Sequence, residues 1–164
     1  MSNFTITSPE FKAQDTLPHA FEFNGFDGSG ENRSPALQWQ GTPQGTQSFA
    51  LTLYDPDAPT GSGFWHWVVY DIPADATGLP ANFGSGGQAD LGGKGMQVVN
   101  DYGAIGYGGP CPPKGDPAHR YIFTVHALGV PKLGLPAGAT NAVARFMIHQ
   151  NSLASASLSG LYQR

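Results

Sequence analysis

Three short segments put ionisable or polar side chains beside stiff backbone. Asp55-Pro56-Asp57-Ala58-Pro59 follows an apolar run that ends at Tyr54, and its two prolines hold both carboxylates in place. Phe64-Trp65-His66-Trp67 sets one imidazole between two indoles at the head of another run, an apolar and half-dry place. Gly108-Gly109-Pro110-Cys111-Pro112-Pro113-Lys114-Gly115 leads into His119-Arg120-Tyr121. Residues two apart on a strand share a face, so His119 and Tyr121 point the same way. The glycines let backbone approach a ligand closely, and the prolines stiffen the wall. Taken singly, the first two have plainer readings: an acidic turn capping its own amides, and a core histidine with one partner.

The residue types suit a phosphate or carboxylate better than a metal. A protonated imidazole, with a reference pKa of about 6.5, donates from both nitrogens. Two histidines, a tyrosine hydroxyl and exposed backbone N–H groups can converge on one small anion. Asp55 has the wrong sign for that contact. It is expected to orient His66 or His119 and favour the imidazolium, or to receive the ammonium of a phosphoethanolamine head group. Anion binding tighter near about pH 6 than near about pH 8 follows. The rival chemistry is a metal-dependent hydrolase with zinc held by Asp55, Asp57, His66 and His119. The spacing permits it, yet a metal does not require the glycine- and proline-rich wall. The chain has no dinucleotide fingerprint, phosphate loop, H-E-x-x-H or G-x-S-x-G elbow. No catalytic residue, cofactor or resident metal is therefore expected, and Cys111 reads as the small residue that fits the wall.

These groups need a scaffold, and the composition describes one. The 164 residues hold 23 Gly and 14 Pro, with 40% hydrophobic and 12% charged residues, which suits one loop-rich, mostly β domain spanning 1–164. A net charge of −4 without a basic run excludes a nucleic-acid footprint and a polybasic membrane contact. One cysteine excludes an internal disulfide. The N-terminal stretch lacks a signal-peptide pattern, and no apolar run approaches the roughly 18 residues that span a bilayer. A cytoplasmic location without membrane insertion is the expectation.

Alternation predicts long strands over Ser48 to Tyr54, Trp65 to Ile72, Arg120 to Leu128 and Ser152 to Tyr162. Shorter ones are expected at Phe4 to Thr7, Ala20 to Asn24 and Leu37 to Trp39. Asn82 to Gly95 and Tyr102 to Pro117 read as loops, the first on the surface. One helix is expected over Ala139 to Gln150, capped by Thr140 or Asn141, with Val143, Phe146, Met147 and Gln150 on its apolar side. His126 reads as a sheet-face residue, and His149 as a helix C-terminal one. Six to eight strands and one helix make an antiparallel β-sandwich with a small α appendage.

From Gly30-Glu31-Asn32-Arg33-Ser34-Pro35 through Asp55-Pro56-Asp57-Ala58-Pro59 and Trp65-His66-Trp67-Val68-Val69 to Gly106-Tyr107-Gly108-Gly109-Pro110-Cys111-Pro112-Pro113 and His119-Arg120-Tyr121, the chain resembles the phosphatidylethanolamine-binding protein family. That family includes the Raf kinase inhibitor protein and the plant flowering regulators, and the form here looks like its short bacterial branch. The resemblance implies an antiparallel β-sandwich with an anion-binding pocket at one end. Asp55, His66, His119 and Tyr121 would line it, and backbone around Gly109, Cys111 and Pro113 would floor it, with Asp57 and Pro112 as supports. It also implies regulation of a kinase or protease partner, with Asn82 to Gly95 as a candidate contact surface, and a homodimer. Mammalian members cover the pocket with a further helix; the sequence here ends at Arg164, so no contact from that helix is expected.

Overall fold

Every second side chain of the long alternating runs leaves water on the same side, and the runs pair into a sheet that buries that side. A computed structural model describes residues 3–164. The strands are β1 Thr5–Thr7, β2 Leu37–Gln40, β3 Ser48–Asp55, β4 Phe64–Pro73, β5 Gly78–Leu79, β6 Met96–Gln97, β7 His119–Leu128 and β8 Ser152–Tyr162, with helix α1 Asn141–Asn151 before the last. Two antiparallel sheets result, one ordered β6-β4-β3-β7-β8 and the other β1-β2-β5. Between them lies the main core: Phe49, Leu51 and Leu53 of β3, Trp67 and Val69 of β4, and Phe123 and Val125 of β7 meet Ile6, Leu37 and Trp39 of the small sheet. The outer face of the large sheet packs Ala50, Val68 and Leu128 against Ala144 and Ile148 of α1.

Pairing brings the three chemistry-bearing segments to one end. β3 lies between β4 and β7, with Asp55 opposite Phe64 and Tyr54 opposite Ile122, so the end of β3 meets the starts of both neighbours. A bulge sits there. Leu53 pairs with Trp67 and the next residue, Tyr54, with Trp65, which leaves His66 as the unpaired extra residue of β4. Bulges break alternation and re-aim a side chain. His66 and Trp67, although adjacent, therefore both reach inward, while Trp65 stacks on Tyr54.

Two expectations about elements change. Ala20 to Asn24 is not a strand; His19–Phe21 is a single 3-10 turn. Its backbone groups are spent on loops instead of a ladder, with Phe23 N–H bonded to Pro110 O and Asn32 N–H to Glu22 O. On α1, Thr140 is the N-cap and accepts from Val143 N–H, but the buried face carries Asn141, Ala144 and Ile148. Of the expected apolar side, Met147 packs partly against the core beneath the helix, while Gln150 is exposed and Val143 and Phe146 are 45% and 61% exposed. The sheet surface beneath is shallow, built of Ala50 and Val68, and accepts small or branched side chains in close contact. Asn141 is drawn in by bonds from its Nδ2 to Val99 O and to Asp101 Oδ1. Ile148→Ala is accordingly expected to cost about 3 kcal/mol, and Phe146→Ala less than about 0.5 kcal/mol, in urea denaturation. Equal losses would show that the helix packs by its other face.

The loop from Asn82 to Gly95 is exposed along most of its length, but Gly84 and Gly95 are buried. Gly84 is buried against the Trp67 indole and accepts from Tyr107 N–H at 2.8 Å.

Candidate ligand-binding pocket

Where β3 ends and β4 and β7 begin, a cavity of about 180 Å³ opens at the end of the sandwich. Asp55, His66, Cys111, Pro113, His119 and Tyr121 line it, as does Pro112. Asp55 sits at the last position of β3 and serves two partners: Oδ1 accepts from Asp57 N–H at 2.8 Å, and Oδ2 from His119 Nδ1 at 2.7 Å. The acidic turn thus caps its own backbone and also holds a histidine. The Asp55 and His119 side chains are 3% and 5% exposed. On its far side His119 Nε2 reaches Asp116 Oδ2 at 3.0 Å. Burial pulls this imidazole down, but the bonds to Asp55 and Asp116 and their charges leave it above its ordinary value. Both nitrogens face carboxylates, and only the imidazolium donates to both at once.

His66 is different. Its Nδ1 lies 2.7 Å from Gly108 O. A carbonyl only accepts, so the ring proton sits on Nδ1 and Nε2 is left as an acceptor. Burial pulls this imidazole down to about 4, against the weaker pull of the Gly108 bond and the Asp55 charge. Burial therefore leaves His66 neutral near pH 7, while the two carboxylates beside His119 favour its imidazolium form. The Tyr121 hydroxyl is held well above its usual range by burial and then by the Asp55 charge.

Asp57 lies outside the cavity, in a neighbouring groove with Asp116 and Arg120. Its carboxylate takes a fork from Arg120, Nε to Oδ2 at 3.0 Å and Nη2 to Oδ1 at 2.9 Å, which holds it down at about 2. Gly109 does not floor the cavity; this corrects the expected lining. Its N–H is spent on Asn32 Oδ1 and its carbonyl on the Tyr102 hydroxyl, at 2.7 and 2.8 Å. It stands behind the wall, pressed against the backbone of Phe21.

Several lining residues carried no sequence signal. Tyr102 forms a second wall, stacked on Phe23 at 3.9 Å between centroids and edge-on to Phe64 and His66. Phe26, 83% exposed, stands at the mouth. Behind the prolines, Arg164 Nε donates to Pro112 O at 2.8 Å while Nη2 holds Asp27 Oδ1 at 2.9 Å. A Tyr inside the turn Asn100 to Gly103 and an Arg at position 164 follow no periodicity; their partners are visible only in three dimensions.

Among the described residues no group of three or more His, Cys, Asp or Glu side chains is placed to hold a metal ion. Of the four residues of the zinc alternative, Asp55 and His119 bond each other, His66 bonds Gly108 O and Asp57 bonds Arg120, so that alternative finds no support. Among the same residues no helix is long and apolar enough to cross a membrane.

An antiparallel sandwich with one end opened between strand termini, floored by a buried aspartate–histidine pair and walled by aromatic and proline side chains, defines a class of small β proteins with an end cavity. The family is then explicit. The phosphatidylethanolamine-binding protein profile matches residues 7–163, and the chain belongs to that family. It is 49% identical over 157 residues to the UPF0098 protein YbhB of Escherichia coli, covering 96% of this chain and 98% of that one. The crystal structure of Escherichia coli YbcL, described as a member of the mammalian PEBP family, superposes with a TM-score of 0.91 at 43% identity over 98% of both chains. A PEBP homologue from Chlamydia trachomatis superposes with a TM-score of 0.82 at 28% identity, covering 100% of this chain and 99% of that one.

Proposed function

We propose that this protein binds, without turning over, a small anion, phosphate or a phosphorylated head group, in the end pocket. The observation that carries the reading is the His119 ring held between Asp55 and Asp116 at the pocket floor, which raises its pKa, beside the neutral His66 and the Tyr121 hydroxyl. The cavity of about 180 Å³ is well below the roughly 300–1,000 Å³ of drug-sized sites, which favours a head group over a whole lipid. The acceptor Nε2 of His66 suits the P–OH of a phosphomonoester monoanion, whose second pKa is near about 6. The aromatic walls and Asp55 suit an ammonium on the same ligand.

The pH dependence has a definite sign. The His119 pKa is raised above its ordinary value, so its positive charge is complete at lower pH and lost as pH rises through the raised value. Phosphoethanolamine should therefore bind about tenfold more tightly at about pH 6 than at about pH 8.5, one close charge being worth about 1.4 kcal/mol. Isotope-edited NMR titration of the His119 and His66 ring signals reads this directly. Affinity that stays flat over that range, or shifts absent from both rings, removes the reading.

Regulation of a kinase or protease, with the loop from Asn82 to Gly95 as the contact surface, self-association as a dimer, and a cytoplasmic location belong to the same reading. Cell fractionation tests the last, since one relative, from Mycobacterium tuberculosis, is named a lipoprotein.

A further inference from the structure

On the opposite face of the large sheet from the main core, a second cavity of about 240 Å³ lies between α1 and strands β3, β7 and β8. It shares no lining residue with the end pocket. Its wall offers Arg145 and His149 from the helix, His126 from β7, and the hydroxyls of Thr52 and Ser155, and it contains no Asp or Glu.

Two features mark it as built. Arg145 sits over the Trp65 ring, 4.0 Å from guanidinium carbon to centroid. Its Nε and Nη2 both donate to Asn141 Oδ1, at 3.2 and 3.0 Å. Asn141 is itself fixed by Val99 O and Asp101 Oδ1, so the guanidinium is oriented from one edge while its Nη1 edge has no protein hydrogen bond among the described residues. A guanidinium held in this way presents a fork suited to the two oxygens of a carboxylate or phosphate.

The second feature is His126, 7% exposed, whose Nδ1 is buried with no hydrogen-bond partner. Buried polar groups normally find partners. A stranded lone pair costs less than a stranded N–H, so the proton belongs on Nε2, the nitrogen left to face the cavity. The ring of His149 stands edge-on at 5.7 Å between centroids. Burial keeps His126 neutral near pH 7, so it acts as a donor there and not as a charge.

We infer that this cleft is a second binding site, for the carboxylate or phosphate group of a small organic anion, held by the Arg145 fork and the His126 and His149 ring donors. The nearest acid, Asp101, is occupied by Asn141 and by Trp65 N–H at 2.8 Å, and it stands behind the guanidinium on the Asn141 side.

The test is an isotope-edited NMR titration of the whole chain with acetate, and separately with inorganic phosphate, following the Arg145 side-chain and His126 and His149 ring signals. The expected result is saturable shifts of all three residues with at least one anion, and at least tenfold weaker binding in Arg145→Gln with the His66 and His119 responses unchanged. His149→Gln, altered at an exposed position, should weaken binding without unfolding and serves if Arg145→Gln is misfolded. Response to acetate alone or to phosphate alone identifies which oxyanion the fork selects. No saturable shift with either anion overturns the inference. So does binding undiminished in both variants, or a response of the two rings to zinc ions alone.

Discussion

Asp55→Asn is expected to lower stability by about 2–3 kcal/mol at about pH 6, with the loss shrinking toward about pH 9. The pair it breaks is buried on both sides, and removing one partner of such a pair leaves the other uncompensated, typically at about 3–5 kcal/mol. The figure is smaller here because His119 can release its proton, which converts part of the loss into a lowered pKa. The amide keeps an oxygen for Asp57 N–H, so the turn survives and the charge is what is removed. The pH course follows from the sign. A histidine raised by its partners contributes stability fully below its ordinary value and loses it as pH rises through the raised one. Urea denaturation of both proteins across that range measures the gap. A gap that is constant with pH, or under about 0.5 kcal/mol throughout, would mean that Asp55 acts only as a turn cap. The same variant should flatten the pH dependence of phosphoethanolamine binding.

Gly109→Ala is expected to cost at least about 3 kcal/mol and to abolish ligand binding. A Cβ there would lie 1.9 Å from Phe21 O, 2.9 Å from Phe23 N and 3.0 Å from the Glu22 carbonyl carbon. These are backbone atoms, so no rotamer relieves the clash, and the cost stands at the upper end of overpacking or beyond. The two segments must separate, although Phe23 N–H is bonded to Pro110 O at 3.0 Å. Separation also pulls the Gly109 carbonyl from the Tyr102 hydroxyl, which moves one aromatic wall and the adjoining Cys111 to Pro113 wall together. Gly86→Ala is the control: nothing lies within 4 Å of its Cβ, and it should remain within about 0.5 kcal/mol of the parent. If Gly109→Ala unfolds at the same urea concentration as Gly86→Ala, the close approach of the two backbones is wrong.

The long strands were legible because burial on one face imposes a period of two on the chain. Ser152–Tyr162 keeps that period along its length and has the expected bounds. The pocket residues were legible because Asp55 and His119 stand beside proline-stiffened backbone and His66 between two indoles at the head of a strand. The α1 face was misread because the sequence offers two apolar stripes, Val143 with Phe146 and Ala144 with Ile148. The choice between them belongs to the shallow surface of Ala50 and Val68 underneath.

By itself the sequence determined an antiparallel β-sandwich, its family, and six of the seven expected lining residues. The sandwich follows from the strand patterns, and the family and the lining residues from the motifs that carry the family resemblance. The tertiary structure alone decided that Asp55 takes His119 across 64 residues and leaves His66 to Gly108 across 42. It also decided that Gly109 stands behind the wall, that Tyr102 completes it, and that Arg164 braces it. Hydrogen-bond partners, and the protonation states that depend on them, are set by distances between segments far apart in the chain, and no one-dimensional period encodes those distances.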